Sequence, residues 1–343
     1  MPDGSSLTHP KPLIDTFGRH VTYLRMSVTD RCDLRCTYCM AETMQFLPKK
    51  DLLSIEELDH VARAFIQRGV QKIRITGGEP LVRKGMPELI QRLGSYIGHG
   101  LEELTLTTNG TLLEQFADLL VQNGVKRINV SLDSLNPETF ERITRRGRLP
   151  QVLAGIDAAL DAGLKIKINT VALKHENMEE IPSMIEWAHA KSMDLTLIEV
   201  MPLGDTGEDR IDQYIPLPMI RDQLEKAWQL EDLQSTEQNA GPSRYVRVAE
   251  TGGKLGFITP LTNNFCAGCN RVRVTCTGRI YMCLGQDDHI DLRQALRETP
   301  DPDTALDNCL DKALFKKPER HEFAIHRRGQ NPSLPRHMSV TGG

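Results

Sequence analysis

Residues 20–200 repeat one rhythm six times: a short run rich in branched apolar residues, then a helix-length amphipathic run. The candidate strands are 21–27, 72–76, 103–107, 127–132, 165–171 and 194–200. Ser54-Ile-Glu-Glu57 has capping-box spacing, and the helix it opens places Leu58, Val61, Ala62 and Phe65 on one face. Further helices are expected around 86–97, 112–122, 137–143, 151–162 and 177–190, with Gly69 and Gly124 as stops. Strands separated by helices must run parallel with right-handed crossovers, so the chain builds either a partial (β/α) barrel or an open doubly wound sheet.

The unusual residues choose between the two. Cys32, Cys36 and Cys39 follow the first strand and Gly77-Gly78-Glu79-Pro80 the second. Thr107-Thr108-Asn109-Gly110 follows the third, and Ser131-Leu132-Asp133 closes the fourth. Lys167 and Asn169 sit late in the fifth, and Glu199-Val200-Met201 ends the sixth. Polar clusters at the C-terminal ends of so many successive strands converge in a barrel, whereas an open sheet gathers its site at one switch point. The expected fold is therefore α/β: a partial (β/α)6 TIM-type barrel over 20–224, preceded by an arm at 1–19.

Beyond Ile215-Pro216 the rhythm breaks. Residues 221–228 read as helix and 230–243 as loop, followed by strands at 245–248, 255–258, 271–275 and 280–283. Thr277-Gly278 predicts a tight hairpin between the last two. This predicts a smaller C-terminal α+β module at 225–328, then an irregular Pro/Ser/Gly-rich tail at 329–343. The chain carries 42 basic and 46 acidic residues, a net charge of −4, which gives no general reason to bind nucleic acid or a membrane surface. The charge is uneven, because residues 312–343 hold seven Lys/Arg against two Asp/Glu. No apolar run reaches spanning length, and the first twenty residues are polar and broken by Pro2, Pro10 and Pro12. A cytoplasmic location is expected, where thiols stay reduced.

Eight cysteines in such a compartment need a purpose. Cys32-x3-Cys36-x2-Cys39 and Cys266-x2-Cys269-x13-Cys283 are triplets with no His between their members. Three thiolates suit an iron–sulfur cluster with one open iron or, with a fourth ligand, zinc. Cys276 lies inside the second span and would close a zinc ribbon, and Cys309 reads as a small buried apolar residue. In Cys269-Asn-Arg-Val-Arg-Val-Thr275 an extended chain puts Cys269, Arg271 and Arg273 on one face. Two guanidiniums beside a cluster are costly without an anion, and phosphate suits their forked donors.

Cys32-x3-Cys36-x2-Cys39, with Tyr38 before the last cysteine, resembles the signature of the radical S-adenosylmethionine superfamily, and Gly77-Gly78-Glu79-Pro80 resembles its second motif. Nearly the whole chain resembles the GTP 3′,8-cyclase family of molybdenum cofactor (molybdopterin) biosynthesis. The likeness runs from Tyr23-Leu-Arg-Met-Ser-Val-Thr-Asp-Arg-Cys32 to Cys266-Ala-Gly-Cys-Asn-Arg271 and the closing Gly342-Gly343. It implies a lyase with two [4Fe-4S] clusters, on Cys32/Cys36/Cys39 and on Cys266/Cys269/Cys283. The first would cleave S-adenosylmethionine to a 5′-deoxyadenosyl radical that takes the ribose 3′ hydrogen of GTP. Attack of C3′ on C8 and reduction would give a cyclic dihydroguanosine triphosphate, with the open iron of the second cluster holding the guanine edge.

The resemblance assigns Tyr38, Gly78, Glu79, Ser131 and Met201 to S-adenosylmethionine. It assigns Arg25, Arg74, Thr107, Lys167, Arg271, Val272 and Arg273 to GTP, with Arg271 and Arg273 closest to the chemistry. It also implies an electron donor of flavodoxin or ferredoxin type and hand-over to cyclic pyranopterin monophosphate synthase, and it allows a homodimer. Asp33 stands where Asn is usual and Thr196 where Arg is expected. A peptide-modifying enzyme of the same superfamily and a non-catalytic zinc-binding module are the alternatives.

Overall fold

The computed structural model describes residues 11–207, 210–234, 241–263, 266–321 and 336–342. Six strands in the first two-thirds of the chain run parallel and in sequence order: β1 (Tyr23–Ser27), β2 (Lys72–Thr76), β3 (Glu103–Thr108), β4 (Arg127–Ser131), β5 (Lys165–Ala172) and β6 (Asp194–Glu199). A helix fills each connection, as the amphipathic periods require. The first, Ile55–Gln67, carries the full capping box, with Ser54 accepting from the Glu57 amide and Glu57 from the Ser54 amide. Leu58, Val61, Ala62 and Phe65 are all buried along it.

The C-terminal part continues the same sheet at both edges. Its strands are β7 (Leu230–Leu233), β8 (Arg244–Val248), β9 (Lys254–Ile258), β10 (Arg271–Val274), β11 (Arg279–Tyr281) and β12 (His289–Asp291). The strand order is β12-β11-β10-β1-β2-β3-β4-β5-β6-β9-β8-β7, with β10 parallel to β1 and β9 parallel to β6. The order has two free ends, so the barrel is partial. The β10–β11 hairpin turns at Gly278, whose φ of 84° suits glycine. Residues expected as loop at 230–243 instead begin with β7, whose Leu230 and Leu233 pair across to Val248 and Tyr245. The helix expected at 221–228 runs over Leu217–Leu224 and buries Leu217, Ile220 and Leu224.

Strand alternation sorts the sheet into two chemically distinct faces. Leu24, Met26, Ile73, Ile75, Leu104, Leu106, Ile128, Val130, Ile166, Ile168, Leu195 and Leu197 join the helix residues in one continuous apolar core. The opposite face lines the lumen. A TIM barrel normally fills that space with branched aliphatic residues. Here it carries Tyr23, Arg25, Lys72, Arg74, Glu103, Thr105, Thr107, Arg127, Asn129, Lys167, Asn169, Asp194, Thr196, Arg271 and Arg273.

Candidate active site

The two cysteine triplets lie at opposite ends of this polar lumen. Cys32, Cys36 and Cys39 follow the C-terminal end of β1. Cys269 precedes β10, which runs parallel to β1, so it lies at the N-terminal end, where the Thr22 and Tyr23 amides donate to the Asn270 carbonyl. Because β11 runs back antiparallel to β10, Cys283 returns to that same end.

In the first triplet the chain turns tightly, and the Cys39 and Met40 amides both donate to the Cys36 carbonyl. Burial, the carboxylates of Glu79 and Asp33, and the neighbouring Cys39 push the Cys32 thiol well above its usual range. Cys36 is pushed up too, by burial, Asp133 and the other two cysteines. Thiols such as Cys32 and Cys36, which resist ionisation on their own, fit a strongly positive partner such as iron. In the second triplet burial raises Cys269, but Arg271 and Lys317 outweigh it and bring the thiol down to about 7. Burial raises Cys283, which also feels Cys269 and Cys266. Both donor sets are all-thiol, which fits iron–sulfur clusters. All eight cysteines are free thiols. Cys276 is not part of the second set: it is buried beside Ser27, Asp30 and Arg83, and burial pushes its thiol up to about 12. Cys309 is half-buried against the core rather than fully enclosed.

The loops around the first triplet interlock. A Cβ on Gly78 would lie 2.3 Å from the Arg31 carbonyl oxygen, and one on Gly77 2.5 Å from that of Thr29. The Gly78 and Glu79 amides donate to those same carbonyls at 2.8 Å. The Gly-Gly pair thus lets the β2 loop seat the cysteine loop. Glu79 knits the same loops together. Its carboxylate is fully buried and accepts from the Leu81 amide, the Thr108 hydroxyl and the Asn109 amide. Burial pushes it up to about 7 despite these donors. It clamps Asn109, whose side-chain amide lies 3.7 Å from Cys32 Sγ and 2.7 Å from Asp33 Oδ1. Tyr38 donates to Asp133 at 2.7 Å, and the Val171 amide donates to the same carboxylate. Ser131 is half-buried, paired in register with Asn169 on the lumen face, and Met201 is half-buried after β6.

Below this level the lumen is dominated by cations. Arg25 pairs in register with Arg74 on one side and Arg273 on the other. Near the N-terminal end Glu103 neutralises Lys72 at 3.0 Å and Arg127 at 2.5 Å; burial alone would raise it, and these partners hold it at about 2. Higher up, Arg74, Lys167 and Arg273 meet neutral acceptors among the described residues. Arg74 donates to the Thr107 hydroxyl at 3.4 Å, Lys167 to the Tyr245 phenol at 3.1 Å, and Arg273 to the Gly342 carbonyl at 2.6 Å. Burial brings Arg25 down to about 10 and, with Arg74, brings Lys167 down to about 7. Burial, Arg25 and Arg271 hold Arg273 well below its ordinary value. Burial would raise Tyr23, yet the surrounding cations bring it down to about 8. A buried cluster of mutually depressed cations is a receptor for a polyanion.

Val272 does not share this face. Its side chain is buried in the apolar core on the other side of β10, so strand alternation removes it from the lumen. Thr196 is fully buried, and a Cβ on Gly256 would lie 2.7 Å from its hydroxyl. Gly342 of the terminal pair does reach the lumen, beside Thr76 and Arg273. Gly343 lies outside the described residues. Lys72, Asn129, Asn169 and Tyr245 were not singled out for the ligand or not singled out at all, although Lys72 obeys the same two-residue alternation as Arg74. Lys317, beside Cys269, has no local sequence signal.

A parallel partial barrel with a three-cysteine loop after its first strand defines a radical S-adenosylmethionine protein. Residues 26–188 match the Radical SAM superfamily and residues 193–323 match Molybdenum Cofactor Synthesis C. The structure is similar to that of Streptococcus suis SuiB bound to S-adenosylmethionine, with a TM-score of 0.59 at 17% identity over 89% of this chain and 68% of that one. That likeness speaks to the fold. The GTP 3',8-cyclase of Erythrobacter litoralis is 61% identical over 331 residues, covering 96% of this chain and 98% of that protein. The GTP 3',8-cyclase of Rhizobium etli is 60% identical over 332 residues, covering 97% and 94%. The chain belongs to the GTP 3′,8-cyclase family.

Proposed function

We propose that this protein converts GTP to (8S)-3′,8-cyclo-7,8-dihydroguanosine 5′-triphosphate in molybdenum cofactor biosynthesis. The observation that carries the reading is a buried cationic lumen running between two three-cysteine sites. Cys32, Cys36 and Cys39 would hold a [4Fe-4S] cluster, which when bound would supply the electron for reductive cleavage of S-adenosylmethionine. Cys266, Cys269 and Cys283 hold a second cluster next to the nucleotide.

The chain's own residues then bind, orient and shield. Tyr38, Ser131 and Met201 border the cofactor, while Gly78 and Glu79 fix the loops that carry it. Arg25, Arg74, Lys167, Arg271 and Arg273 take the triphosphate, and Thr107 orients Arg74. Charge-assisted contacts in this water-poor lumen hold the ribose facing the first site. Loss of a ribose hydrogen atom is balanced by gain of one electron and one proton, so the product is an isomer of GTP. A flavodoxin- or ferredoxin-type donor supplies electrons, and a cyclic pyranopterin monophosphate synthase consumes the product. The setting is the cytoplasm; among the described residues no helix is long and apolar enough to cross a membrane.

The test is anaerobic incubation of the iron-loaded enzyme with S-adenosylmethionine, dithionite and GTP, followed by chromatography and mass spectrometry. The reading predicts 5′-deoxyadenosine together with a new species of GTP mass and altered retention. 5′-Deoxyadenosine with all GTP returned unchanged overturns the substrate.

A further inference from the structure

Lys317 is a lysine in the wrong place for a surface residue. It follows the helix Pro302–Phe315, where its amide still donates to the Leu314 carbonyl, and it is only 3% exposed. Its ammonium spends its donors on Cys269 Sγ at 3.6 Å, the Arg271 carbonyl at 3.1 Å and the Met282 carbonyl at 3.1 Å. None of the three acceptors is a carboxylate. A buried ammonium is expensive unless something nearby carries the opposite charge. The acceptor able to carry it is the Cys269 sulfur, as a thiolate.

The placement is specific to one site. The two carbonyls belong to the residue two beyond Cys269 and to the residue just before Cys283, so one ammonium fixes the backbone on both sides of the second triplet. At the first triplet the side-chain donor to the Cys32 sulfur is the neutral Asn109 amide, a carboxylate, Asp33, sits beside it, and the nearby Arg35 guanidinium donates to the Cys32 and Leu34 carbonyls. A [4Fe-4S] cluster held by three thiolates carries one negative charge when oxidised and more when reduced. Hydrogen bonds to its sulfurs and a nearby cation favour the reduced form and raise the potential. They also lessen the repulsion between the cluster and an approaching triphosphate.

We propose that Lys317 is a positioning residue of the second cluster, donating to Cys269 so that the cluster is easier to reduce and can accept a polyanionic substrate beside it. This rests on the reading that Cys266, Cys269 and Cys283 hold a cluster. The experiment is an electron paramagnetic resonance redox titration of the full-length holoenzyme, with iron analysis, comparing wild type, Lys317→Met and Lys317→Arg. The second cluster's signal is the one that S-adenosylmethionine leaves unchanged. Lys317→Met is expected to move the second midpoint to more negative potential and leave the first in place, and Lys317→Arg to restore most of the shift. Full iron with an unmoved second midpoint overturns the proposal. Should Lys317→Met lose the second cluster, Lys317→Gln, which keeps hydrogen bonding without charge, takes its place. A wild-type midpoint in that variant overturns the proposal. A wild-type protein holding about four irons, not about eight, overturns the reading of the second triplet itself.

Discussion

Arg74→Met should act in opposite directions on the empty and the loaded protein. Arg74 is 8% exposed, sits in register with Arg25, lies over the Tyr23 ring and, among the described residues, donates one long hydrogen bond, 3.4 Å to Thr107. Two guanidiniums about 5 Å apart, at the spacing of neighbouring strands, repel by about 3 kcal/mol at an effective dielectric constant of about 20. Replacing one with a flexible apolar side chain removes that repulsion and a buried charge, at the loss of one weak hydrogen bond and some packing on Tyr23. The empty variant should therefore gain about 1–3 kcal/mol. For a chain of this length that is a melting temperature higher by about 1–4 °C. GTP binding should weaken, because a charge-assisted contact is worth about 1.5–3 kcal/mol, or about 10- to 150-fold in Kd. The assays are thermal unfolding of the iron-loaded protein without nucleotide, and equilibrium dialysis with GTP. An empty variant that melts several degrees below wild type, with GTP affinity unchanged, would refute the argument that these cations are held in mutual opposition for an anion.

Other consequences follow from the same geometry. Lys167 titrates near 7 in the folded protein against an ordinary 10.5, because of its burial and then Arg74. Between those values the unfolded chain holds the proton and the empty folded protein does not, so this group's contribution to stability rises with pH across that window. A bound triphosphate restores the charge, so GTP binding near pH 8 should take up close to one proton. Calorimetry in buffers of different ionisation heat reads this; Lys167→Met should lower the uptake by close to one proton, leaving the share of Tyr23, which the same cations hold at about 8, and an uptake that the substitution leaves unchanged contradicts the placement. Gly78→Ala would set a Cβ 2.3 Å from the Arg31 carbonyl oxygen and displace the Cys32 loop. Iron analysis should then find about half the wild-type content, with the second cluster retained; full content and normal S-adenosylmethionine cleavage would show that the loop absorbs the methyl. Tyr38→Phe removes the 2.7 Å bond to buried Asp133 and should cost about 1–3 kcal/mol, read as a lower melting temperature. An unchanged melting temperature would mean that Asp133 finds another donor.

Much of this architecture is local, and local physics was legible. The first six strands and the helices between them follow from apolar period and caps, and the loops at 32–39, 77–80 and 107–110 announce themselves by residue type. Long-range pairing was not legible. Nothing local says that β10 joins β1 or that β9 joins β6, and these pairings place the second triplet at the far end of the lumen. The same limit hid Lys317, whose contacts lie 35 to 48 residues away. β7 was missed because an edge strand with exposed Glu231 and Asp232 looks like a loop. The resemblance places Val272 with Arg271 and Arg273, and alternation sends its side chain to the other face, so that only its backbone borders the lumen. The three donors that Glu79 accepts from come from its own loop and from the end of β3, and only the fold brings the latter two to it.

The central claim is that a buried cationic lumen presents the ribose of GTP to radical chemistry started at the first cysteine site. GTP carrying deuterium at C3′ tests it most directly. The iron-loaded enzyme, S-adenosylmethionine and reductant should transfer the label, giving singly deuterated 5′-deoxyadenosine and a cyclic product that has lost it. Unlabelled 5′-deoxyadenosine beside fully labelled, unchanged GTP would contradict the account.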